Sequence, residues 1–242
     1  DNDLARALTD AARLIKAGIG VQVVCLDFDG WDMHGGMGTF SQADSWLTTQ
    51  LRDLSASLAA FATDLGGRFD RTTIVTMSEF GRRVEENDSG GVDHGHGNAM
   101  LLLGGKVNGG QVHGRWPGLG ADKLYDGDLA GVTDFRLVLA EIMRKRCGQT
   151  GLSQVFPGAD LQTELGVVRT GSTQPHLGDR GPPVKPVRLD RCRRVPLFLH
   201  TNRYRLEGIP LLFECRQRSA KSRNRRCTVS ATIVHQDDIA TL

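Results

Sequence analysis

Long apolar runs are missing from this 242-residue sequence. No stretch of about 18 consecutive apolar residues occurs, so no membrane-spanning helix is predicted. Only five cysteines are present; they form no CxxC pair, and their odd number argues against a complete disulfide framework. The opening residues lack the basic start and apolar block of a signal peptide. Instead, Leu4, Leu8 and Ile15 fall on one helix face, so we expect an opening helix and, without an initial Met, a fragment.

Net charge is small, at +2, but the charges are divided unevenly along the chain. Residues 1–166 carry 15 basic and 22 acidic side chains, whereas residues 167–242 carry 15 basic and 6 acidic ones. The second segment has little periodicity, and basic composition alone defines no element that reads bases, so no specific nucleic-acid partner is predicted. We expect residues 1–166 to be a folded domain and residues 167–242 to be a basic tail, either disordered or translated from a non-native reading frame.

Residues 1–166 alternate between short apolar runs and longer segments with helical spacing. The short runs are rich in β-branched residues, which is typical of buried strands, and the longer segments place apolar residues on one face. The predicted elements after the opening helix are strands at 19–28, 71–80 and 99–105 and helices at 40–65 and 134–147. Alternation of this kind predicts an α/β domain with a largely parallel sheet flanked by helices.

Polar clusters follow or lie near the predicted strands, at 27–34, 78–82 and 93–96. Ligands bind beyond the carboxyl ends of the strands in parallel α/β sheets, so we expect these clusters to form one site. Asp32 and His34 are two positions apart, which points both side chains to the same side of an extended chain. Carboxylates combined with imidazoles suit Zn²⁺ or Mn²⁺ better than Ca²⁺. The predicted metal ligands are Asp32, His34, Glu79, Asp93 and His94, with His96 as a further candidate. The alternative for each of them is an exposed polar residue of a loop, and it is their clustering that favours a metal site.

Asp27 and Asp29 permit a different interpretation. Residues 23–30, VVCLDFDG, resemble the motif of haloacid-dehalogenase-type phosphatases, in which an apolar strand delivers an Asp-x-Asp pair. That resemblance implies a phosphatase in which Asp27 attacks phosphorus and Asp29 acts as acid and base. Trp31 stands where that motif has Thr or Val, so we keep this interpretation as an alternative.

Several longer motifs occur in order along the first 166 residues. They are GWDMH at 30–34, TMSEFGRRVEEN at 76–87, GVDHGHGN at 91–98, LLLGGKVNGGQVHGRWPGL at 101–119 and TDFRLVLAEIM at 133–143. Together they resemble the DUF1501 family, which is related to the alkaline phosphatase/sulfatase superfamily. The resemblance implies an alkaline-phosphatase-like α/β fold. That fold would be incomplete here, because the early strand and loop that carry the nucleophile in the superfamily have no counterpart in this chain.

This resemblance also implies a function. The superfamily uses divalent metals to hydrolyse phosphate or sulfate esters, so the expected partner is an anionic ester, either a small molecule or a glycan. Ser78 and Arg82 are candidates for catalysis or anion contact, and the fragment alone is expected to have little activity. A non-catalytic surface protein that binds an ion or a glycan on the same fold is the alternative. Relatives of this kind are expected to be exported through a twin-arginine signal that this chain does not carry.

Overall fold

The computed structural model of the protein describes residues 2–170 and the backbone of two later strands, 198–201 and 228–235. The helices are α1 (Asp3–Ala17), α2 (Trp46–Leu65), α3 (Phe135–Cys147) and α4 (Leu152–Val155), with 3₁₀ turns at Gly66–Arg71 and Ala121–Lys123. The strands are β1 (Val21–Asp29), β2 (Thr72–Ser78), β3 (Gly81–Arg82), β4 (His94–Gly95), β5 (Leu102–Gly104), β6 (Phe198–Thr201) and β7 (Thr228–His235). This content confirms a mixed α/β architecture. In the part of the chain that the structure describes, no helix has both the length and the apolar character needed to cross a membrane.

The opening helix forms as the spacing predicts. The Asn2 side chain accepts a hydrogen bond from the Ala5 main chain and caps the first turn of α1. Gly18 ends the helix in the left-handed conformation, with φ 62°, which glycine adopts without steric cost. Leu4, Leu8 and Ile15 are at most 1% exposed. This apolar face packs on α2 and anchors the first hydrophobic core.

Helix α2 begins six residues later than the predicted start at residue 40. Ser45 adopts an extended conformation and its side chain accepts a hydrogen bond from Thr48 N, so the helix can only begin after it. From there the predicted apolar face is buried against α1, with Leu54, Leu58 and Phe61 all below 7% exposure. The residues that the prediction added at the front, 40–45, form a turn instead.

Five strands form the main sheet, in the order β5-β2-β7-β1-β6. Every hydrogen-bonded pair among these described strands is antiparallel, which corrects the prediction of a largely parallel sheet. β1 and β2 do run in the same direction, but β7 lies between them and pairs with both. The prediction missed β7 because it treated the β-branched segment TVSATIVH as part of a tail.

A second core lies around α3. Asp134 caps this helix by accepting a hydrogen bond from Arg136 N. Helical spacing places Phe135, Val138, Leu139 and Ile142 on the predicted inward face of this helix. The last three are buried, whereas Phe135, in the first turn, is 50% exposed.

Val167 and Val168 also join this second core, and Val168 bridges to Val107. The packed unit therefore continues past the predicted boundary at residue 166. Of the predicted tail, the structure describes 167–170 and the strands β6 and β7; the rest of that prediction lies outside the described residues.

Candidate metal site

Two loops bring predicted ligand residues together. We call them the paired loops: residues 30–37 begin at the end of β1, and residues 87–93 precede β4. Three main-chain hydrogen bonds of 2.9–3.0 Å join them, from Gly36 to Ser89, from Met37 to Gly90 and from Val92 to Met33. Since each bond links backbone to backbone, the relative position of the two loops depends little on the exposed side chains that they carry.

Side chains from the surrounding elements hold the paired loops in place. The Arg82 guanidinium on β3 donates to the main-chain oxygen of Val92 at 2.9 Å and to that of Trp31. Trp46, at the start of α2, donates its indole N–H to the oxygen of Gly30 at 2.9 Å. Arg82 therefore bridges both loops through their main-chain carbonyl groups.

Gly91 lies where the paired loops touch. A Cβ on this residue would lie 2.4 Å from the carbonyl carbon of His34 and 2.4 Å from the main-chain oxygen of Met33. Neither atom belongs to a flexible side chain, so we expect Gly91→Ala to force the loops apart and to lower the free energy of unfolding by about 2 kcal/mol. Urea unfolding measures the effect. Gly67→Ala is the control, because its Cβ would meet nothing within 4 Å; equal stability of the two variants would contradict the close contact.

Three predicted ligands converge at one point. His34 Nε2 lies 3.0 Å from Asp32 Oδ1 and 2.9 Å from His94 Nε2, and His94 Nε2 lies 3.6 Å from Asp32 Oδ1. The three side chains are between 30% and 43% exposed, so the cluster is open to solvent on one side. It lies at the junction of the first paired loop with β4, and it is the group whose geometry fits a metal ion in the part of the chain that the structure describes.

Asp93, the fourth predicted ligand, contacts His34 from the other side of the ring. Its Oδ1 lies 2.7 Å from His34 Nδ1 and 3.0 Å from the amide nitrogen of Asn87. Asn87 was not predicted as a site residue. Its position in an Asn-Asp-Ser-Gly-Gly segment is typical of a turn, and that was the one signal in the sequence that could have drawn attention to it.

Electrostatics favour the neutral form of His94 and the charged form of Asp93. Burial of the His94 ring, together with the neighbouring charges of His34 and Arg82, lowers the pKa of this histidine. Hydrogen bonds from His34 and Asn87 lower the pKa of Asp93. Phe80 stacks on His94 with 3.7 Å between ring centroids, which restricts the orientation of the imidazole. Neutral imidazole is the form that ligates a metal, so both shifts favour cation binding.

The donor set fits a transition-metal ion. Two ligand atoms of a tetrahedral zinc are about 3.3 Å apart when each bond is about 2.0–2.1 Å, and the three observed separations lie on either side of that value. Two imidazoles and one carboxylate are the protein ligands of one type of catalytic zinc site, in which a fourth position stays open for water or substrate. The same donor set also holds Mn²⁺ and Fe²⁺.

The remaining predicted site residues lie apart from this cluster. Glu79 is exposed and is not among the side chains that converge there. His96 is exposed and stacks against Tyr125 instead, with 4.5 Å between centroids. The Ser78 hydroxyl donates to the main-chain oxygen of Phe80 at 2.8 Å. Glu79, His96 and Ser78 therefore stay predictions that the described geometry does not bring together with Asp32 and His34.

Asp27 and Asp29 also lie outside the cluster. Both are exposed residues of β1, and they alternate with the buried Leu26 and Phe28. The main-chain oxygen of Asp29 accepts a hydrogen bond from Gln50 on α2 at 2.8 Å. The structure therefore places this pair on the strand itself, before the loop that carries Asp32 and His34.

Comparison with known proteins gives one result. Residues 4–135 match a family model that is described as a protein of unknown function, DUF1501. No curated protein and no solved structure matches the chain. The matched range includes both paired loops and all three residues of the Asp32, His34 and His94 cluster. Because the match covers more than half of the 242 residues, the chain belongs to the DUF1501 family.

Proposed function

We propose that Asp32, His34 and His94 bind a divalent metal ion, Zn²⁺ first and Mn²⁺ second, in a hydrolase of phosphate- or sulfate-type esters. The observation that carries the proposal is the convergence of one carboxylate oxygen and two imidazole nitrogens within 3.6 Å of one another. The reaction class comes from the resemblance of the motifs to the alkaline phosphatase/sulfatase superfamily, since a fold and a metal do not by themselves define a reaction.

Each residue of the cluster would have its own role in binding the ion. A divalent ion, when bound, lowers the pKa of a coordinated water and neutralises charge that develops on an ester. Asp32 supplies negative charge to the cation, and His34 and His94 supply neutral nitrogen ligands. The solvent-exposed side of the cluster leaves room for a small or glycan-linked ester. Arg82 holds the paired loops through the main-chain oxygens of Trp31 and Val92, which gives it a structural role beside the cluster.

Metal content tests the first half of the proposal. The purified chain is stripped with a chelator, dialysed against equal concentrations of Zn²⁺, Mn²⁺ and Fe²⁺, and analysed by inductively coupled plasma mass spectrometry. We expect about one ion per chain, with zinc favoured by the two imidazoles. A simultaneous Asp32→Ala and His34→Ala exchange should abolish that binding. Retention of less than about a tenth of an ion per wild-type chain would overturn the proposed site.

Ester hydrolysis tests the second half. Aryl phosphate and aryl sulfate panels are assayed with this chain and with a longer member of the family, each with and without chelator. We expect metal-dependent turnover of at least one ester by the longer protein, and the assay of this chain shows whether residues 1–242 are enough for it. Stoichiometric metal binding without turnover of any ester by either protein would instead support the non-catalytic alternative, in which the ion has a structural role or holds a glycan.

A further inference from the structure

Asn87 uses every hydrogen-bonding group of its side chain. Its Oδ1 accepts the main-chain N–H of Ser89 at 3.0 Å and of Gly91 at 3.1 Å. Its Nδ2 donates to the main-chain oxygen of His34 at 2.9 Å and to Asp93 Oδ1 at 3.0 Å. A flipped amide would face two N–H donors with its own NH₂ group, so these contacts define which atom is oxygen.

Asp93 links the Asn87 amide to the ring of His34. The Asp93 Oδ1 that accepts from Asn87 also lies 2.7 Å from His34 Nδ1. An ionised carboxylate can only accept hydrogen bonds, and carboxylates face both ring nitrogens. Asp93 Oδ1 lies closer to Nδ1, at 2.7 Å, than Asp32 Oδ1 lies to Nε2, at 3.0 Å, so these contacts favour the proton on Nδ1. In neutral imidazole the other nitrogen then has a free lone pair, and His34 Nε2 is the atom that lies against Asp32 and His94.

We infer that Asn87 and Asp93 are positioning residues, which hold His34 as its Nδ1–H tautomer with Nε2 directed at Asp32 and His94 before any ion binds. A carboxylate that fixes the tautomer of a histidine ligand from the far side of its ring recurs in metal sites, and loss of such a partner lowers affinity about 10–100-fold. The assignment of the tautomer stands on the described contacts alone. Only its consequence for metal affinity rests on the proposed function.

Asn87 also forms a turn, and one substitution separates the two roles. Asn87→Asp keeps an oxygen that can accept from Ser89 and Gly91, and aspartate forms this kind of turn as readily as asparagine. It removes the NH₂ donor, however, and places a second carboxylate beside Asp93. If Asn87 only forms the turn, Asn87→Asp should behave like wild type; if it positions Asp93, His34 should lose its preferred tautomer.

The tautomer can be read directly in metal-free protein. Two-bond ¹H–¹⁵N correlation spectra of ¹⁵N-histidine-labelled chain are recorded with chelator at a pH above about 8, where histidine is neutral. His34 is assigned by its loss in His34→Gln. We expect the Nδ1–H pattern in wild type and a mixture of tautomers in Asn87→Asp and Asp93→Ala. Asp88→Asn, an exposed change in the same loop, should keep the wild-type pattern.

Zinc titration gives the second readout. We expect Asn87→Asp and Asp93→Ala to bind zinc about 10–100-fold more weakly and Asp88→Asn to bind it as wild type does. Backbone amide spectra confirm that each variant is folded. An Nε2–H pattern in wild type, or an unchanged His34 in both Asn87→Asp and Asp93→Ala, would overturn the inference even if zinc binds. The expected tautomers without zinc binding in wild type would uphold the inference and defeat the proposed function.

Discussion

The His94→Ala variant is expected to bind zinc at least about 100-fold more weakly than the wild-type chain. His94 Nε2 is one of the three atoms that converge, 2.9 Å from His34 Nε2 and 3.6 Å from Asp32 Oδ1. Its loss leaves two protein ligands, which is fewer than the three or four that zinc sites use. The effect should therefore exceed the roughly 10–100-fold loss expected when only an outer partner is removed. Competition against a chromophoric chelator measures the affinity.

His96→Ala is the matched control for this prediction. His96 lies two positions further along the chain, is also exposed to solvent, and stacks on Tyr125 away from the cluster. The His96→Ala variant removes an imidazole only two positions away from His94. Non-specific surface binding of zinc by histidine would therefore weaken equally in both variants. We expect zinc affinity within about twofold of wild type. A loss in His96→Ala as large as in His94→Ala would show that the ion binds elsewhere.

The Glu141→Gln variant should lose about 3 kcal/mol of unfolding free energy. Glu141 on α3 is 0% exposed, and its carboxylate accepts three main-chain N–H groups and one ammonium group. The donors are Leu165 N at 2.7 Å, Gly166 N at 2.9 Å, Val168 N at 3.1 Å and Lys145 Nζ at 3.1 Å. One carboxylate oxygen accepts from Leu165 and Gly166, and the other accepts from Val168 and Lys145. The NH₂ group of a glutamine would face one of these two pairs of donors and leave buried groups unpaired.

Glu164→Gln is the control for Glu141→Gln. Glu164 also contacts Lys145, at 2.9 Å, but its side chain is 55% exposed, and exposed ion pairs contribute little. We expect a change below about 0.5 kcal/mol there. Urea unfolding of both variants gives the comparison. A Glu141→Gln chain as stable as Glu164→Gln would mean that segment 165–168 does not depend on the buried carboxylate.

The same carboxylate predicts a pH dependence. Burial raises the pKa of Glu141, but the hydrogen bonds from Val168, Lys145, Leu165 and Gly166 outweigh it and the net shift is downward from 4.5. A lowered pKa in the folded state stabilises the fold above the unfolded-state value, and that stabilisation is lost as the pH falls through the folded-state value. Between about pH 6 and pH 3, wild type should therefore lose more stability than Glu141→Gln.

Helical spacing carried most of the information about the fold that the sequence could supply. Spacing predicted the buried face of α1 and most of that of α2, because a helix that packs on one side must repeat apolar residues every three or four positions. Leu47 and Leu51, in the first turns of α2, are only half-buried. Helix ends were less predictable. Several Ser, Thr and Asp residues lie near the first turn of α2 and of α3. Only the backbone geometry shows that Ser45 and Asp134 are the ones whose side chains accept a main-chain N–H of the first turn.

Sheet topology could not be predicted in the same way. Alternating strands and helices favour parallel neighbours, and β1 and β2 do run in the same direction. Whether they pair directly depends on a third strand from a distant part of the chain. Period-two patterns identify a strand and say nothing about its neighbour, so the position of β7 between β1 and β2 was beyond local reasoning.

For the candidate site, the sequence could indicate the residue types of the ligands but not the contacts between their side chains. Asp32, His34 and His94 are residue types that ligate metals, and the structure brings these three together. Which ring nitrogen faces which neighbour depends on contacts between residues 59 positions apart, so the place of Asp93 behind His34 needed coordinates. Glu79 illustrates the opposite case, because a suitable residue type beside a strand end does not determine where its side chain points.

The pairing of the two loops has a consequence for how the chain would unfold. His34 and His94 are 60 positions apart, and the segment between them contains α2 and β2. An ion held by both residues would act as a reversible crosslink that closes this long segment in the denatured chain. Closing a loop removes denatured-state entropy, and the gain grows slowly with loop length. Loss of the ion would then lower the stability of the whole segment between the two histidines, including α2 and β2, and not only that of the paired loops.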